Sequence, residues 1–333
     1  MARARRGASM SEWVLGIDLG GTNIVAGCAR RDGHALEGFR SEPTRPEEGP
    51  DAVVDRIVAL GRAAIADTLV ADPGGRVLGV GIGAPGPLDR EQGIVLLTPN
   101  LGWVDMPLRA RVGGPLGLDA ALDNDANCAV LGEWWRGAAQ GARHAIGVTL
   151  GTGVGGGIIV DGRLYHGASD VAGEVGHITI DANGRRCACG NDGCLEAYAS
   201  GPAIARRAIE ALRAGAESTL TTLEPGTITA QSVYQAAAEG DPTARDVVRD
   251  TARYLGAGVA NLLNIFNPEV VVVCGGVTLA GEGLFGPLRQ EVARRAFKPA
   301  VAACRIVPGE LVHTAGVYGA ARAFLEQRGL ADA

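Results

Sequence analysis

The chain has few aromatic side chains, 4% of its residues, and a formal net charge of only −6. So sparse an aromatic complement leaves little from which to build a base-stacking platform. A mildly acidic balance gives no electrostatic footprint for nucleic acid or an anionic membrane. No run approaches the roughly 20 apolar residues of a membrane span. Met1 to Ser11 hold Arg3, Arg5 and Arg6 but no apolar segment behind them, so they do not read as a secretory signal. Residues 1–12 are expected to be a disordered basic tail, with Met10 an alternative natural start. Seven cysteines, an odd number without such a signal, argue against a disulfide framework. Low-complexity linkers are missing, and so is the Gly-Lys-Ser/Thr of a Walker A loop. Together these absences describe a cytoplasmic protein with no nucleic-acid or membrane partner.

Glycine, by contrast, is abundant: 51 residues in 333, without a collagen-like period and clustered where strands end. The length suggests two lobes, and the 47% hydrophobic content suffices for a sizeable core. Trp13–Leu19 and Ile24–Ala29 are β-type runs on either side of Gly20-Gly21 and predict a hairpin. Ala52–Val70 carries apolar residues at helical spacing. Short buried strands follow at Val77–Ile82, which runs into the rigid turn Ala84-Pro85-Gly86-Pro87, at Ile94–Leu97 and at Leu118–Leu122. A helix over Ala126–Arg136 completes a β, α, β alternation. Ala145–Leu150 and Val154–Val160 repeat the opening, with Gly147-Val-Thr-Leu-Gly-Thr-Gly falling over Gly16-Ile-Asp-Leu-Gly-Gly-Thr. Two such matches, each opening an α/β lobe, point to an internally duplicated core. Helices near Pro202–Ala214, Thr229–Glu239 and Thr243–Asn264 and a buried strand, Val270–Cys274, fill the second lobe. The last helix, Ala315–Gln327, returns to the first. The expected division is therefore 13–123 plus about 315–333 for a small lobe and 124–314 for a large one.

Successive backbone N–H groups in a glycine turn form a concave nest for anions. Gly20-Gly21-Thr22 within Asp18–Asn23 is one such turn, with a hydroxyl for a phosphate oxygen. Gly151-Thr152-Gly153 within Thr149–Gly157 is a second. Asp18, at the end of its strand, is placed to hold Mg²⁺ through water. Either loop alone also suits a tight hairpin with a capping aspartate; the repetition favours a polyphosphate. Gly275-Gly276, after Val270–Cys274, offers a flat surface for an adenine or ribose, although taken by itself an ordinary strand-to-helix turn is the better reading.

His177, Cys187, Cys189 and Cys194 follow the spacing His-x9-Cys-x-Cys-x4-Cys, with Gly184, Gly190 and Gly193 between them. Three cysteines and a histidine make a closed tetrahedral site for structural zinc in loop 177–194. The remaining cysteines, Cys28, Cys128, Cys274 and Cys304, read as isolated buried thiols. Zinc folding of that loop would draw Glu174, His177 and Glu196 together, and converging polar groups suit a polyhydroxyl ligand. Asn124 and Asp125 stand at the carboxyl end of a strand, where α/β sheets bind ligands. Asp125 is the candidate base for an attacking alcohol. Asp123 reads as a solvated residue or helix cap.

These motifs resemble the ROK family of repressors and sugar kinases, and within it the bacterial glucokinases. The resemblance rests on Asp18-Leu-Gly-Gly-Thr22, Asn124-Asp125-Ala-Asn127, Leu150-Gly-Thr-Gly-Val-Gly-Gly-Gly157, Gly173-Glu-Val-Gly-His177 and Cys187-Ala-Cys-Gly-Asn-Asp-Gly-Cys194-Leu-Glu196, in that order. It implies a two-lobed actin-like, ribonuclease-H-like fold, with Asp125 as catalytic base. It implies Asn124, Glu174, His177 and Glu196 as sugar ligands, joined by Asn100 and the backbone at Ala84-Pro85-Gly86. The expected reaction moves the γ-phosphoryl group of Mg-ATP to the 6-hydroxyl of glucose, in a homodimer or homotetramer. Kinases of the family for another hexose or an N-acetylhexosamine, or using polyphosphate, would keep the same motifs. A silent sugar sensor would lack the base or a phosphate loop. An actin- or chaperone-like ATPase has no need of the zinc-braced acids. The first strand begins by about Trp13, which leaves no room for the winged helix-turn-helix of ROK repressors.

Overall fold

The structure, a computed structural model, describes residues 10–331. Residues 1–9 of the expected tail lie outside the described residues, and Glu12 already opens the first strand. Two compact units divide the chain. Unit 1 runs to Arg136 and resumes at His313, and unit 2 is Gly137–Val312.

Unit 1 is built on a five-stranded sheet. Its strands are β1 (Glu12–Leu19), β2 (Asn23–Arg30), β3 (Leu36–Pro43), β4 (Arg76–Ala84) and, beyond a small hairpin sheet of β5 (Leu88–Asp89), β6 (Ile94–Thr98) and β7 (Trp103–Met106), β8 (Ala120–Asn124). The order is β3-β2-β1-β4-β8. β1 runs antiparallel to β2 and parallel to β4, and β4 runs parallel to β8. Side chains alternate across a strand, so β1 sends Trp13, Leu15, Ile17 and Leu19 into one core. There they meet Val53, Val54, Ile57 and Leu60 of helix α1 (Pro50–Ala71). α2 (Leu108–Leu116) adds Leu108 and Val112 to the same core.

The opposite face of the sheet carries a row of glycines between the buried Val14, Ala29 and Ala121. Gly27, Gly16 and Gly81 stand in register across β2, β1 and β4. The C-terminal helix, Ala315–Gln327, lies on Gly16 and Gly81 backbone to backbone and reaches Gly27 with the Val317 side chain. A Cβ at Gly16 would come 2.0 Å from Val317 O, and one at Gly81 would come 1.8 Å from Ala320 O. Helix α3 (Asp125–Arg136) crosses the same C-terminal helix at a second glycine contact. There a Cβ at Gly132 would meet Ala315 O at 2.0 Å, and one at Gly319 would meet Cys128 O at 1.6 Å. This contact corrects the expected boundary after residue 123. α3 cannot leave the helix it packs against so closely, and the division falls after Arg136.

Unit 2 repeats the plan. β9 (Ala145–Leu150), β10 (Val154–Val160), β11 (Arg163–Leu164), β12 (Val270–Cys274) and β13 (Arg305–Pro308) form a sheet of order β11-β10-β9-β12-β13. Every strand direction matches its counterpart in unit 1, with an antiparallel hairpin first and two parallel neighbours after it. The duplicated actin-like, ribonuclease-H-like core expected from the sequence is present. Six helices accompany the sheet: α4 (Glu196–Ala199), α5 (Gly201–Arg213), α6 (Ala230–Glu239), α7 (Pro242–Phe266), α8 (Glu282–Arg295) and α9 (Lys298–Ala303). α7 starts where Pro242 follows Asp241, whose Oδ1 accepts the Ala244 N–H at 2.8 Å, a cap of the usual kind. Its buried stripe from Val247 to Leu263 carries much of the unit's core. No helix among the described residues is long and apolar enough to cross a membrane. Cys28 and Cys128 are buried as expected, whereas Cys274 and Cys304 are only half-buried, since each stands at an end of its strand or helix.

The glycine row makes a quantitative demand. Gly81→Ala should destabilise the protein by about 3 kcal/mol or more, because the obstructing atom is backbone and cannot turn away. Gly114→Ala has open space around the new methyl and should change stability by less than about 1 kcal/mol. Urea midpoints of the two variants against the parent check this.

Candidate active site

In unit 1 the carboxyl ends of three parallel strands bring two acids together. Asp18 on β1 pairs across to Gly83 on β4, and Gly83 pairs to Asp123 on β8. Gly83 has no side chain, and one would be crowded. A Cβ there would lie 3.1 Å from Cys128 Sγ and 3.5 Å from the Asp125 Cα. Asp18 and Asp125 thus flank a bare stretch of backbone. The C-terminal helix covers Asp18, and a Cβ at Gly316 would come 2.2 Å from its Oδ2. Burial first, and the nearby Asp125 carboxylate second, push the Asp18 carboxyl up to about 7. Two carboxylates that destabilise each other's charge are a donor set that a hydrated Mg²⁺ would relieve, and the residues fit that ion.

Asp125 is the first residue of α3. The Ala126 N–H donates to Asp125 Oδ1 at 2.8 Å and to Asn124 Oδ1 at 2.9 Å, and the Asn127 N–H donates to Asn124 Oδ1 at 3.1 Å. Asn124 is therefore the cap of α3, and its amide NH₂ is the group it can offer a ligand. Asp123 is neither solvated nor the cap, contrary to the sequence reading. It is 1% exposed, its Oδ2 lies 3.1 Å from Arg90 Nε, and its Oδ1 accepts the Asn124 N–H at 2.9 Å and Asn127 Nδ2 at 3.3 Å. Leu122 and its neighbours are fully buried, so an aspartate at the end of this strand needed an internal partner, and Arg90 supplies it.

The first glycine loop follows directly. Gly20 N–H donates to Asn23 O at 2.9 Å and closes the turn. Thr44, fully buried, fastens the loop from outside: its hydroxyl donates to Gly20 O at 2.7 Å and its N–H to Thr22 O at 2.8 Å. Gly21, Thr22 and Asn23 stay exposed for a ligand, as does Asn100, whose Cβ lies 4.0 Å from the position of a Cβ at Gly21.

Unit 2 carries the second loop, the cysteine cluster and two further acids. Gly151 N–H donates to Gly153 O at 3.0 Å, leaving Gly151 and Thr152 exposed. Gly275, at φ 96°, lies against the end of β9, where a Cβ would come 2.3 Å from Leu150 O. A cavity of about 1390 Å³ opens there. Gly151, Thr152 and Gly276 form one wall, and Arg206, Gln231 and Tyr234 of α5 and α6 stand on others. The sequence singles out all three residues of this wall but gives no indication of its helical side. Neither loop has a lysine, since the chain holds only Lys298.

The ligand atoms of His177, Cys187, Cys189 and Cys194 all lie within 4.8 Å of one another. Cys189 Sγ is 3.7 Å from Cys194 Sγ, and Cys187 Sγ is 3.9 Å from His177 Nδ1. Tetrahedral sulfur ligands at about 2.3 Å from zinc stand about 3.8 Å apart, so both donor set and spacing fit a closed structural zinc site. With Nδ1 facing Cys187, His177 Nε2 lies 3.9 Å from Glu174 Oε2. Glu196 Oε1 stands 3.8 Å from Cys187 Sγ. Glu174 thus neighbours His177, and Glu196 neighbours Cys187 of the same cluster. Burial holds the Cys187 and Cys194 thiols above the usual range, the form they take without an ion; metal ligation would require them deprotonated.

Two supports of the site escaped the sequence reading. Thr44 lies 22 residues beyond Thr22, and Arg90 lies 33 before Asp123, so no local pattern ties either to its partner.

Known proteins resemble this chain along nearly its whole length. Residues 14–327 match the sequence model of the ROK family. A glucokinase of Thermotoga maritima is 39% identical over 323 residues, covering 95% of this chain and 98% of its own. The crystal structure of a ROK family glucokinase from Streptomyces griseus, in complex with glucose and AMPPNP, superposes with a TM-score of 0.77 at 37% identity, over 93% of this chain and 98% of that one. A ROK hexokinase structure from Thermus thermophilus gives 0.79 at 34% identity, over 95% and 99%. With its duplicated sheets, its paired glycine loops and its Cys₃His cluster, this chain belongs to the ROK family.

Proposed function

We propose that the chain is a cytoplasmic glucokinase that transfers the γ-phosphoryl group of Mg-ATP to the 6-hydroxyl of glucose. The observation that carries this reading is the pair Asp18 and Asp125 on either side of Gly83, in a chain whose relatives in the family include glucokinases. Asp125, exposed enough to meet a substrate, would accept the proton of the attacking hydroxyl. Its Oδ1 is steadied by the Ala126 N–H. Asn124 would offer its NH₂ to a sugar hydroxyl, with Asn100, Glu174, His177 and Glu196 as further ligands. Backbone N–H groups of Gly20-Gly21-Thr22 and Gly151-Thr152-Gly153 would bind phosphate oxygens, and the cavity beside Gly276 supports a place for the base and ribose. Asp18 would hold Mg²⁺, which when bound neutralises phosphate charge that no lysine here can meet. Zinc held by His177, Cys187, Cys189 and Cys194 would be structural, with no open position for chemistry. By family resemblance the working form is a homodimer or homotetramer.

A coupled assay over glucose, mannose, fructose, N-acetylglucosamine and N-acetylmannosamine, with ATP or polyphosphate as donor, is expected to give the highest kcat/KM for glucose with ATP. Faster turnover of an N-acetylhexosamine, or with polyphosphate, would overturn the substrate assignment. Asp125→Asn should lower kcat by about 10²–10⁴ while glucose binding, read by calorimetry, stays largely intact; near-normal turnover would remove Asp125 as the base. Freshly purified protein should carry one zinc per chain by metal analysis, and Cys194→Ser should carry much less and melt at a lower temperature.

A further inference from the structure

The segment bearing the zinc ligands also grips the second glycine loop, at three points. Glu196 Oε2 accepts the Val154 N–H at 2.9 Å. Gly201 N–H donates to Gly151 O at 2.9 Å. Gly176, next to His177, lies flat on Val154, where a Cβ would come 1.9 Å from Val154 O. Within the loop, Gly151 N–H donates to Gly153 O, and at its base Gly155 N–H donates to Thr149 Oγ1 at 3.2 Å. A glycine-rich turn closed by so few bonds still has backbone freedom to lose on binding an anion. Contacts from outside reduce that freedom.

Glu196 is the element that joins the loop to the metal cluster. One carboxylate oxygen holds the Val154 N–H and the other faces Cys187 Sγ at 3.8 Å. The fit on the loop side is tight, since a Cβ at Gly153 would come 2.6 Å from Glu196 Oε2. A carboxylate accepting a backbone N–H makes a charge-assisted bond, stronger than a neutral one.

We propose that Glu196 is a positioning residue for the phosphoryl donor, through which the His177, Cys187, Cys189 and Cys194 cluster sets the backbone of Gly151–Val154 for phosphate. The metal site then governs nucleotide binding as well as the sugar ligands beside it. This inference rests on the reading of Gly151-Thr152-Gly153 as a phosphate loop, so its test separates the two.

The experiment titrates Mg-AMPPNP into the zinc-loaded protein by calorimetry with no sugar present, and follows amide exchange of the 151–157 segment. Glu196→Ala should weaken nucleotide binding about tenfold or more and speed exchange of that segment. Glu196→Gln keeps an oxygen for the Val154 N–H, so its nucleotide affinity should stay within about threefold of the parent, with exchange nearly unchanged. A Glu196 that served the sugar alone would leave sugar-free nucleotide affinity and exchange untouched in Glu196→Ala, and that result overturns the proposal. Should Glu196→Ala fail to fold, chelation of zinc from the parent protein is the second arm. Faster exchange over 151–157, with the Val270–Cys274 strand still protected, supports the link; retained protection of 151–157 overturns it. If the parent protein binds no nucleotide, the phosphate-loop reading fails, while the exchange results still decide whether Glu196 orders the loop.

Discussion

The contact between the C-terminal helix and the glycine row Gly27-Gly16-Gly81 sets the geometry of unit 1. At Gly16 and Gly81, without side chains between them, helix and sheet meet at backbone distance. The position of the helix then leaves no freedom for what else it touches. Its first turn covers Asp18 at Gly316 and meets Gly132 of α3 at Ala315, and its next meets Cys128 of α3 at Gly319. α3 begins with Asp125. The last described helix of the chain therefore holds in place both an acid from its first strand and the acid proposed as the base.

The two units share a topology but brace their glycine loops by different chemistry. In unit 1 the loop is tied by the buried Thr44, which donates twice to its carbonyls. In unit 2 the loop is tied at its N–H by a carboxylate, Glu196, and at its carbonyl by Gly201, both C-terminal to the last cysteine of the metal cluster. A hydroxyl-fastened loop needs only a folded core around it. A loop fastened by residues that directly follow a glycine-rich, largely exposed segment depends on that segment's order, and a tetrahedral metal site is an economical way to order it.

Charge in this protein is arranged to suit a polyanion accompanied by a cation. Asp18 is buried with Asp125 near it at the carboxyl end of a sheet, and burial first and that neighbour second raise the Asp18 carboxyl. A positive charge placed between them would lower the cost of ionising Asp18. The buried Asp123, by contrast, has its cation already in the protein, in Arg90. Neighbouring acids on one strand end are thus set apart by their surroundings, Asp123 paired inside the protein and Asp125 half-exposed.

Much of this was legible in the sequence, and the reason is periodicity. β9, β10, β12 and the C-terminal helix have the limits read from their apolar runs, because each is buried over most of its length and composition must follow burial. The Cys₃His cluster was legible because metal ligands in one short loop declare themselves by type and spacing. β3 was not, since Leu36–Pro43 is an exposed edge strand with no apolar alternation. α2 and α8 were not, because Pro115 and Pro287 within them read as helix breakers. By itself, then, the sequence determined the repeated hairpins, the two glycine loops and the zinc ligands, all local patterns whose chemistry lies within a few residues. Only the tertiary structure decided what braces them. The bonds of Thr44 to Gly20, Arg90 to Asp123 and Glu196 to Val154 join residues 24, 33 and 42 positions apart, and contacts that distant depend on where the chain returns rather than on any pattern along it.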